Sequence, residues 1–401
     1  MDATAWIDAL LAARGQELLR ELATEPPTAQ TEIRRITRLR ERYPPELISA
    51  ALEQHSLRAR ARAKFAHAER MLFTPAGLEQ ASSDRMARHH ASRYASFDSM
   101  ADLCTGIGGD LIGFAAERSV LAVDSNPVHA RLSSYNASVN GVADRVTALC
   151  ADVCDLRVTD LVKIGAAFVD PARRSDERRM RPGMSEPPLS WCFGLAERGV
   201  AVGVKAAPGL PTEVVPSGWE LEFVSEHREL KASVLWSPTL ATTRRRATLL
   251  PNQQTLIERP GAHVALGEPG SYLLDPDPAV TRAGLVEELG ESLGSCWKID
   301  PQIAFLTANH PMQTPFGRTL AIESSQPWGL AGLRNELRRL DVGVIDIRKR
   351  GSAVDVDEVQ RRLKLTGGRK ATVVLTRVAD RPWMFVCSEL AGGLDLNSML
   401  V

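Results

Sequence analysis

The sequence lacks the cysteine patterns that mark disulfide scaffolds and metal sites. Six cysteines are spread over 401 residues, and no two of them form a CxxC pair or take a metal-ligand spacing with histidine. We therefore expect reduced thiols, a cytoplasmic location and no bound metal.

Long apolar runs are also absent. No run approaches the roughly 18 apolar residues of a membrane span, so the sequence predicts no membrane partner. Residues 1–23 have helical periodicity, but Asp2 stands near the start and neither a basic leader nor a cleavage site follows, which argues against a signal peptide. Nothing in the sequence indicates the oligomeric state.

A net charge is missing as well, because 49 basic residues balance 49 acidic ones. The balance is uneven along the chain: residues 32–95 hold 13 lysines and arginines against 7 acids, and residues 334–370 hold 11 against 6. Basic segments on a neutral chain indicate an anionic partner such as RNA. Compositional bias is the alternative explanation, since 41 of the 49 basic residues are arginine.

Apolar spacing separates a helical start from an alternating middle. The first 95 residues have helical spacing, and Pro44-Pro45 predicts a helix start. From residue 98 onward, short β-rich runs alternate with helical stretches, which predicts an α/β fold with a parallel sheet and helices on both faces. After the second predicted strand, Asn126 is the expected N-cap of a helix that begins at Pro127 and stops at Gly141.

The chain ends with a compact pattern of β-α-β-α-β-β. It predicts a small α/β domain that follows a more acidic stretch. The predicted regions are an N-terminal helical region at 1–95, the main α/β domain at 96–255, a connecting region at 256–317 and the C-terminal domain at 318–401.

The stretch "DLCTGIGGDL" (102–111) predicts a strand, a glycine-rich turn and a helix start. Gly106 and Gly108 allow the backbone to approach a ligand closely, and Asp124 follows at the end of the next strand, where it can accept both hydroxyls of a ribose. A dinucleotide fits this pattern poorly. Leu111 replaces the third glycine, and Asp110 would place a negative charge beside a pyrophosphate.

S-adenosylmethionine suits the same residues better, since it has no phosphate and carries a sulfonium and an ammonium. Carboxylates at Asp102 and Asp110 favour such a cation, and Asp152, after the third strand, can accept from the adenine amine. The predicted cofactor residues are Asp102, Thr105, Gly106, Gly108, Asp124, Ser125, Asn126, Asp152, Val153 and Asp170. The alternative is a generic nucleotide-type fold with surface acids at its strand ends.

Four motifs, "DLCTGIGGD", "AVDSNP", "CADV" and "FVDPARR", resemble in order and spacing those of class I S-adenosylmethionine-dependent methyltransferases. The upstream "MLFTPAGLEQAS" resembles the lead-in of trimethylguanosine-synthase-like RNA methyltransferases. The segment beginning "DIRKRGSAVDVDEVQRRL" resembles the THUMP-like domain found in relatives of this group. The resemblance implies a Rossmann-like methyltransferase sheet, an S-adenosylmethionine cofactor and an RNA substrate.

After the fourth predicted strand the chain reads Asp170-Pro171-Ala172-Arg173. Methyltransferases of exocyclic base amines usually carry Asp/Asn-Pro-Pro-aromatic here, where the acid and a backbone carbonyl hold the amine and the aromatic ring stacks on the base. Asp170, Pro171 and Arg173 are thus the predicted catalytic residues, with the Arg173 guanidinium as a stacking surface or phosphate contact. A solvated loop of arginines is the alternative for residues 173–181.

The predicted function is methyl transfer from S-adenosylmethionine to a base nitrogen of RNA. Two alternatives stay open: a methyltransferase acting on a protein or small molecule, and a non-catalytic RNA-binding protein that retains the cofactor pocket. We expect Lys205 and His89-His90 to be solvated surface residues, with a Lys205 that faces the substrate as the alternative. A basic surface is expected from the C-terminal domain, with dispersed charges as its alternative; its members are Arg348, Lys349, Arg350, Arg361, Arg362, Lys364, Arg369 and Lys370.

Overall fold

The computed structural model describes residues 3–24, 29–171, 186–207 and 209–390. The chain forms two compact units. The first consists of Met1–Glu220 and Ser233–Thr242, and the second of Leu221–Ala232 and Thr243–Val401. These limits differ from the four sequence regions, because Leu221–Ala232 belongs to the second unit although the residues on both sides of it in the sequence belong to the first.

The first unit begins with a layer of helices. As expected, α4 starts at Pro45, whose fixed φ suits a first helical turn. Its buried face includes Leu47, Ile48 and Ala51, and this face shares one core with Ile107 of the glycine-rich turn. The helices of this layer are α1 (Ala5–Leu11), α2 (Ala13–Thr24), α3 (Ala29–Arg40), α4 (Pro45–Ala61), α5 (Pro75–Gln80) and α6 (Asp84–Ser92).

The sheet of the first unit has the strand order β3-β2-β1-β4-β5-β7. Strands β1 to β5 run parallel, and β7 is antiparallel to β5. The strands are β1 (Ser99–Leu103), β2 (Ser119–Asp124), β3 (Val146–Cys150), β4 (Ala166–Val169), β5 (Ala201–Ala206) and β7 (Glu229–Trp236), of which the end of β7 belongs to this unit.

Helices connect these strands. They are α7 (Gly109–Ala115), α8 (Pro127–Val139), α9 (Val158–Ile164) and α10 (Leu189–Glu197). Successive strands progress in one direction from β1 to β3 and in the other from β4 to β5, so right-handed crossovers place the helices on both faces. The Rossmann-like fold predicted from the sequence is confirmed. The reversal lies between β1 and β4, where parallel sheets open a ligand crevice at the carboxyl ends of their strands.

The second unit has two sets of strands. In the first set, β8 (Arg245–Leu250) runs parallel to β6 (Glu220–Glu226) and antiparallel to β9 (Gln254–Ile257). The other set is a seven-stranded sheet in the order β11-β12-β10-β13-β16-β15-β14. Its strands are β10 (Tyr272–Pro276), β11 (Trp297–Lys298), β12 (Leu306–Ala308), β13 (Gly317–Pro327), β14 (Val342–Lys349), β15 (Arg369–Val378) and β16 (Arg381–Glu389), and the helices of this unit are α11 (Pro278–Ala283), α12 (Val286–Leu293), α13 (Leu330–Arg339) and α14 (Val356–Arg362).

Strand alternation gives this sheet two buried faces. Val373 and Leu375 of β15 pack with Leu333 of α13 and Val359 of α14, whereas Val374 faces a second core. The predicted C-terminal order of β-α-β-α-β-β is present from β13 to β16. The sheet also recruits β10, β11 and β12 from the region that the sequence assigned to a connection.

Candidate active site

The turn after β1 is shaped by left-handed backbone conformations. Cys104, Gly106 and Gly108 have φ values of 62°, 57° and 90°. At Gly108 an added Cβ would lie 3.2 Å from the Cα of Ser133, whereas at Gly106 it would meet nothing within 4 Å. Gly108 therefore permits close packing on α8, and Gly106 leaves open space beside the turn.

Asp124, at the end of β2, closes this turn. One of its oxygens, Oδ2, accepts from the backbone amide of Gly106 at 2.8 Å, and Oδ1 accepts from that of Asn126 at 2.9 Å. Burial alone would raise the pKa of Asp124, but hydrogen bonds from His129 and these two amides lower it overall. The strand thus ends in an ionised acceptor held beside the open face of Gly106.

The remaining predicted cofactor residues lie on the neighbouring strand ends. Asn126 caps α8 by accepting from the amide of Val128, as predicted, and Ser125 is exposed. The amide of Ala151 donates to the carbonyl of Asp124 at 3.1 Å, which brings the segment after β3 next to the end of β2. Within that segment Asp152 accepts from the amide of Cys154 at 2.9 Å and starts a 3-10 turn that buries Val153.

Asp102 is a buried acid within β1. Burial raises the pKa of Asp102 well above its usual range, the Thr105 hydroxyl opposes that rise, and the nearby carboxylates of Asp110, Asp170 and Asp124 add to it. Thr105 donates to Asp102 Oδ2 at 2.5 Å. Burial thus opposes the negative charge that the sequence interpretation assigned to Asp102.

Asp110, in the first turn of α7, is paired with a residue that the sequence placed at the surface. His90 is fully buried, and its Nδ1 lies 2.8 Å from Asp110 Oδ1. The hydroxyl of Ser82 donates to Asp110 Oδ2 at 2.7 Å. Burial alone would raise the pKa of Asp110, but the adjacent His90, together with Lys205 and Ser82, lowers it to about 2.

The burial of His90 has a visible cause in the packing of α6 on α7. At Gly113 an added Cβ would lie 2.7 Å from the carbonyl carbon of Ala87, so only glycine allows the two helices to come this close. The His90 ring packs on Phe168 of β4, with ring centroids 4.9 Å apart. The prediction of surface histidines at His89-His90 is therefore wrong, since both are buried.

Asp170 follows β4 and is anchored beside β1, because its amide donates to the carbonyl of Leu103 at 3.0 Å. Lys205 of β5 reaches across to it, with Nζ 2.7 Å from Asp170 Oδ2. The Lys205 side chain is only 16% exposed, so the expectation of a solvated lysine is wrong. Burial raises the pKa of Asp170, Lys205 opposes that rise and Asp110 adds to it.

The structure describes one of the two other predicted catalytic residues. Pro171 directly follows Asp170, whereas Arg173 lies outside the described residues. Of the aromatic residues outside the four motifs, Phe73 is fully buried in the helical core and Trp191 is half-buried in α10.

The basic residues of the C-terminal domain are divided among separate contacts. Arg350 pairs with Asp275 at 3.0 Å and stacks over the ring of Phe305, so it belongs to the interior of the second unit. Others contact acceptors nearby in space: Arg348 with Asp346, Lys349 with the Val354 carbonyl, Arg361 with the Asp357 carbonyl, Arg362 with Glu358 and Arg369 with Glu323. Arg350, which is partly buried and paired, therefore adds no free charge to the expected basic surface, whereas the other seven residues of the set are exposed.

The described residues contain neither a metal-binding cluster nor a membrane-spanning helix. Within residues 3–24, 29–171, 186–207 and 209–390, no group of three or more histidines, cysteines and acids is arranged to hold a metal ion. No helix in those ranges is long and apolar enough to span a membrane.

Known families match three parts of the chain. The model for RNA cap guanine-N2 methyltransferases matches residues 98–174, and the THUMP-like domain model matches residues 317–389. A domain of unknown function matches residues 3–61. The first of these matches spans the glycine-rich turn, Asp124, Asp152 and Asp170.

Relatives extend the likeness beyond these segments. Uncharacterized S-adenosylmethionine-dependent methyltransferases from two strains of Mycobacterium tuberculosis are 35% identical over 321 residues, covering 77% of this chain and 85% of each relative. The crystal structure of a presumptive methyltransferase from Porphyromonas gingivalis W83 is 21% identical, with a TM-score of 0.72 over 87% of this chain and 92% of that one. This structural likeness supports the fold.

Proposed function

Since the chain belongs to the S-adenosylmethionine-dependent methyltransferases, we propose that it methylates a base nitrogen of RNA. The observation that carries the proposal is the position of Asp170-Pro171. The amide of Asp170 is bonded to Leu103, the last residue of β1, so an acceptor held by Asp170 lies beside the turn that begins there.

The cofactor is S-adenosylmethionine, which supplies an electrophilic methyl group on a sulfonium. We assign the ribose hydroxyls to Asp124, whose pKa is lowered and whose two bonded amides orient it. Open space beside Gly106 is consistent with a ligand at this turn. We assign the adenine amine to Asp152 and the base plane to Val153, with Ser125 and Asn126 beside the ribose.

The rest of the turn suits the cationic end of the cofactor. Thr105 of the turn donates to the buried Asp102, and Asp110, whose pKa is lowered to about 2, lies one residue beyond Gly109. A phosphate would meet negative charge here, which is consistent with a cofactor that has none.

Asp170 and the Pro171 carbonyl are proposed to hold the acceptor amine. One oxygen of Asp170 contacts Lys205, and the other, Oδ1, has no hydrogen-bond partner in the part of the chain that the structure describes. It can therefore accept one amine proton while the Pro171 carbonyl accepts the other, which aims the nitrogen lone pair. Positioning of this kind can supply most of the acceleration, so a strong general base is not required.

An RNA substrate is supported by the composition of both ends of the chain. The helical layer carries exposed arginines, among them Arg60 and Arg62 at the end of α4 and Arg88 in α6. The family models matched at residues 98–174 and 317–389 are those of an RNA methyltransferase and a THUMP-like domain, respectively. Arg173 keeps its predicted role as a stacking or phosphate-contacting residue.

Transfer of a tritiated methyl group to total RNA tests the proposal. RNA from a strain that lacks the gene should accept label, whereas RNA from the parent strain, already methylated, should accept little. The exposed-site variant Asp144→Ala serves as the matched control for Asp124→Ala, which should strongly reduce transfer when the cofactor is not saturating. If neither RNA accepts label while the purified protein binds S-adenosylhomocysteine, the RNA assignment is wrong and a protein or small-molecule acceptor replaces it.

A further inference from the structure

Lys205 makes an unusual set of contacts for a lysine at the end of a strand. Its ammonium donates to Asp170 Oδ2 at 2.7 Å, to the Ser82 hydroxyl at 3.2 Å and to the carbonyl of Gln80 at 3.4 Å. Three acceptors from two segments, the α5–α6 connection and the end of β4, thus use all three of its hydrogens. The ammonium is held at one point in space, and it holds Asp170 with it.

The contacts continue beyond Ser82 into the interior. Ser82 donates to Asp110 Oδ2, and Asp110 Oδ1 lies 2.8 Å from His90 Nδ1. Lys205 Nζ is itself 3.9 Å from Asp110 Oδ2. A continuous polar chain therefore runs from the buried ring of His90, through Asp110, Ser82 and Lys205, to Asp170 at the mouth of the site.

We infer that Lys205 is a positioning residue for methyl transfer, which fixes Asp170 as a carboxylate with only Oδ1 turned to the acceptor. This inference rests on the proposed role of Asp170 in holding the acceptor amine. A carboxylate with one oxygen engaged by an ammonium can accept a single N–H at a defined angle. It fits a primary amine whose second hydrogen is taken by the Pro171 carbonyl.

Charge around Asp170 explains why this lysine is needed. Among the residues that the structure describes, the groups that face it are Lys205 from β5, Asp110 from α7, His90 from α6 and Asp102 from β1. Burial and the negative Asp110 favour the neutral acid of Asp170, and Lys205 is the cation that directly contacts it. A protonated Asp170 would offer a donor where the amine needs an acceptor.

The pairing is reciprocal. Burial lowers the pKa of Lys205, but Asp170, Asp110 and Asp102 raise it overall, so the ammonium stays charged across the neutral range. Replacing one member of such a pair leaves an uncompensated charge in the site, whereas replacing both does not. That asymmetry separates a positioning role toward Asp170 from a packing role of the lysine stem.

The first arm of the test needs no substrate. Melting temperatures of the whole protein are compared for wild type, Lys205→Met, Asp170→Asn and the double variant from about pH 4.5 to pH 9. The folded-state pKa of Asp170 is already raised above its unfolded value of about 3.9 in the wild type, and Lys205 opposes that rise. Lys205→Met should therefore raise it further, so the contribution of Asp170, present below the unfolded value and lost as pH rises through the folded one, makes the stability of the variant depend more strongly on pH. The melting temperature of this variant should fall away from that of wild type as pH increases.

The double variant distinguishes a positioning role of Lys205 toward Asp170 from a packing role of its side chain. With Asp170→Asn in place, Lys205→Met should cause no pH-dependent loss across the same range, because the carboxylate is gone. Lys163→Met, at an exposed lysine of α9, is the matched control and should follow wild type at every pH. An equal, pH-independent loss with and without Asp170 would overturn the inference by making Lys205 a packing residue.

The second arm measures methyl transfer to the accepted RNA. Lys205→Met should lower kcat on the order of 10²-fold, as small misplacements of an acceptor do, and should move the acid limb of the pH profile to higher pH. Lys205→Arg should restore part of the rate, and the affinity for S-adenosylhomocysteine should stay near that of wild type. In the Asp170→Asn background Lys205→Met should cost no further rate; a full additional loss would overturn the inference.

The two arms keep this inference separate from the RNA proposal. If RNA is not the acceptor, neither the wild type nor any variant transfers methyl groups to RNA. The melting temperatures alone then decide whether Lys205 acts through Asp170. If RNA is methylated but both arms show equal losses with and without Asp170, the function stands and the positioning role of Lys205 fails.

Discussion

The carboxylate of Asp124 accepts a hydrogen bond from the backbone amide of Gly106 at 2.8 Å, across eighteen residues of sequence. The bond joins the end of β2 to the turn after β1, so the shape of the turn depends on an acid that is also the proposed ribose ligand. Both roles are lost together when the acid is removed.

Asp124→Ala is accordingly predicted to weaken S-adenosylhomocysteine binding by about 10- to 100-fold, the range of one or two hydrogen bonds to a charged group. Isothermal titration calorimetry measures it, with Asp144→Ala, an exposed acid of the same domain, as the control that should bind normally. Unchanged affinity in Asp124→Ala would remove Asp124 from the cofactor site.

Asp102 gives a prediction about pH and stability. Its folded-state pKa is raised well above the unfolded value, chiefly by burial, so its favourable contribution is present below the unfolded value of about 3.9 and lost as pH rises through the folded one. Asp102→Asn, which is neutral at every pH, should therefore match or exceed the stability of wild type at alkaline pH. Urea unfolding at several pH values checks this.

A contrary result for Asp102 is equally clear. If Asp102→Asn is less stable than wild type by the same amount from acid to alkaline pH, the acid is ionised or its charge has no effect on folding. Thr105→Val provides a comparison, because it removes the hydroxyl donated to Asp102 and should destabilise the ionised form most.

Asn136 of α8 should be important for both stability and cofactor binding. Its side-chain amide donates to the carbonyls of Leu72 and Ile107 at 3.0 and 2.9 Å, and its oxygen accepts from the amide of Leu72 at 3.0 Å. Asn136→Ala leaves these buried groups unpaired, so we expect about 2–4 kcal/mol less stability. Denaturant unfolding measures the loss, and Ser138→Ala on the exposed face of α8 is the control.

The C-terminal domain is predicted to contact phosphates through its exposed lysines. Lys364 and Lys370 are exposed, unlike Arg350. The double variant Lys364→Gln/Lys370→Gln should weaken RNA binding and reduce the slope of log K against log salt by about 1.5–2, as two lost phosphate contacts would. Fluorescence anisotropy at several salt concentrations measures the slope, and Lys163→Gln in the first unit is the control. An unchanged slope would exclude these two lysines from the RNA interface.

Local sequence signals were sufficient wherever the cause of structure was itself local. Asn126, Pro127 and Gly141 predicted the limits of α8 because capping and helix termination depend on a few adjacent residues. The alternation of apolar runs predicted the parallel sheet for the same reason. The pattern also predicted that Asp124 is the last residue of β2, as the structure shows.

The pairs that define the site's interior could not be read in this way. His90 and Asp110 are 20 residues apart, and Asp170 and Lys205 are 35 apart. Their contacts depend on how α6 packs on α7 and on the adjacency of β4 and β5 in the sheet. One signal was available, since Gly113 interrupts an otherwise apolar helix and such a glycine often marks a close helix contact.

Among the C-terminal basic residues, Arg350 was misjudged for a similar reason. Arg350 follows the end of β14, as expected, but the sequence does not reveal that β10 from the preceding region joins the same sheet. Asp275 of that strand forms an ion pair with the Arg350 guanidinium, which is partly buried as a result. Charge counted along a segment predicts a surface only when no acid from elsewhere in the fold is within reach.

The most direct test of the central claim is mass spectrometry of nucleosides after reaction with S-adenosylmethionine that carries a deuterated methyl group. RNA from the deletion strain, digested after reaction with wild-type protein, should contain an N-methylated nucleoside with the deuterated methyl, and the same RNA treated with Asp170→Asn should contain at least tenfold less. A deuterated methyl found only on protein or small molecules, or equal labelling by both proteins, would contradict the account.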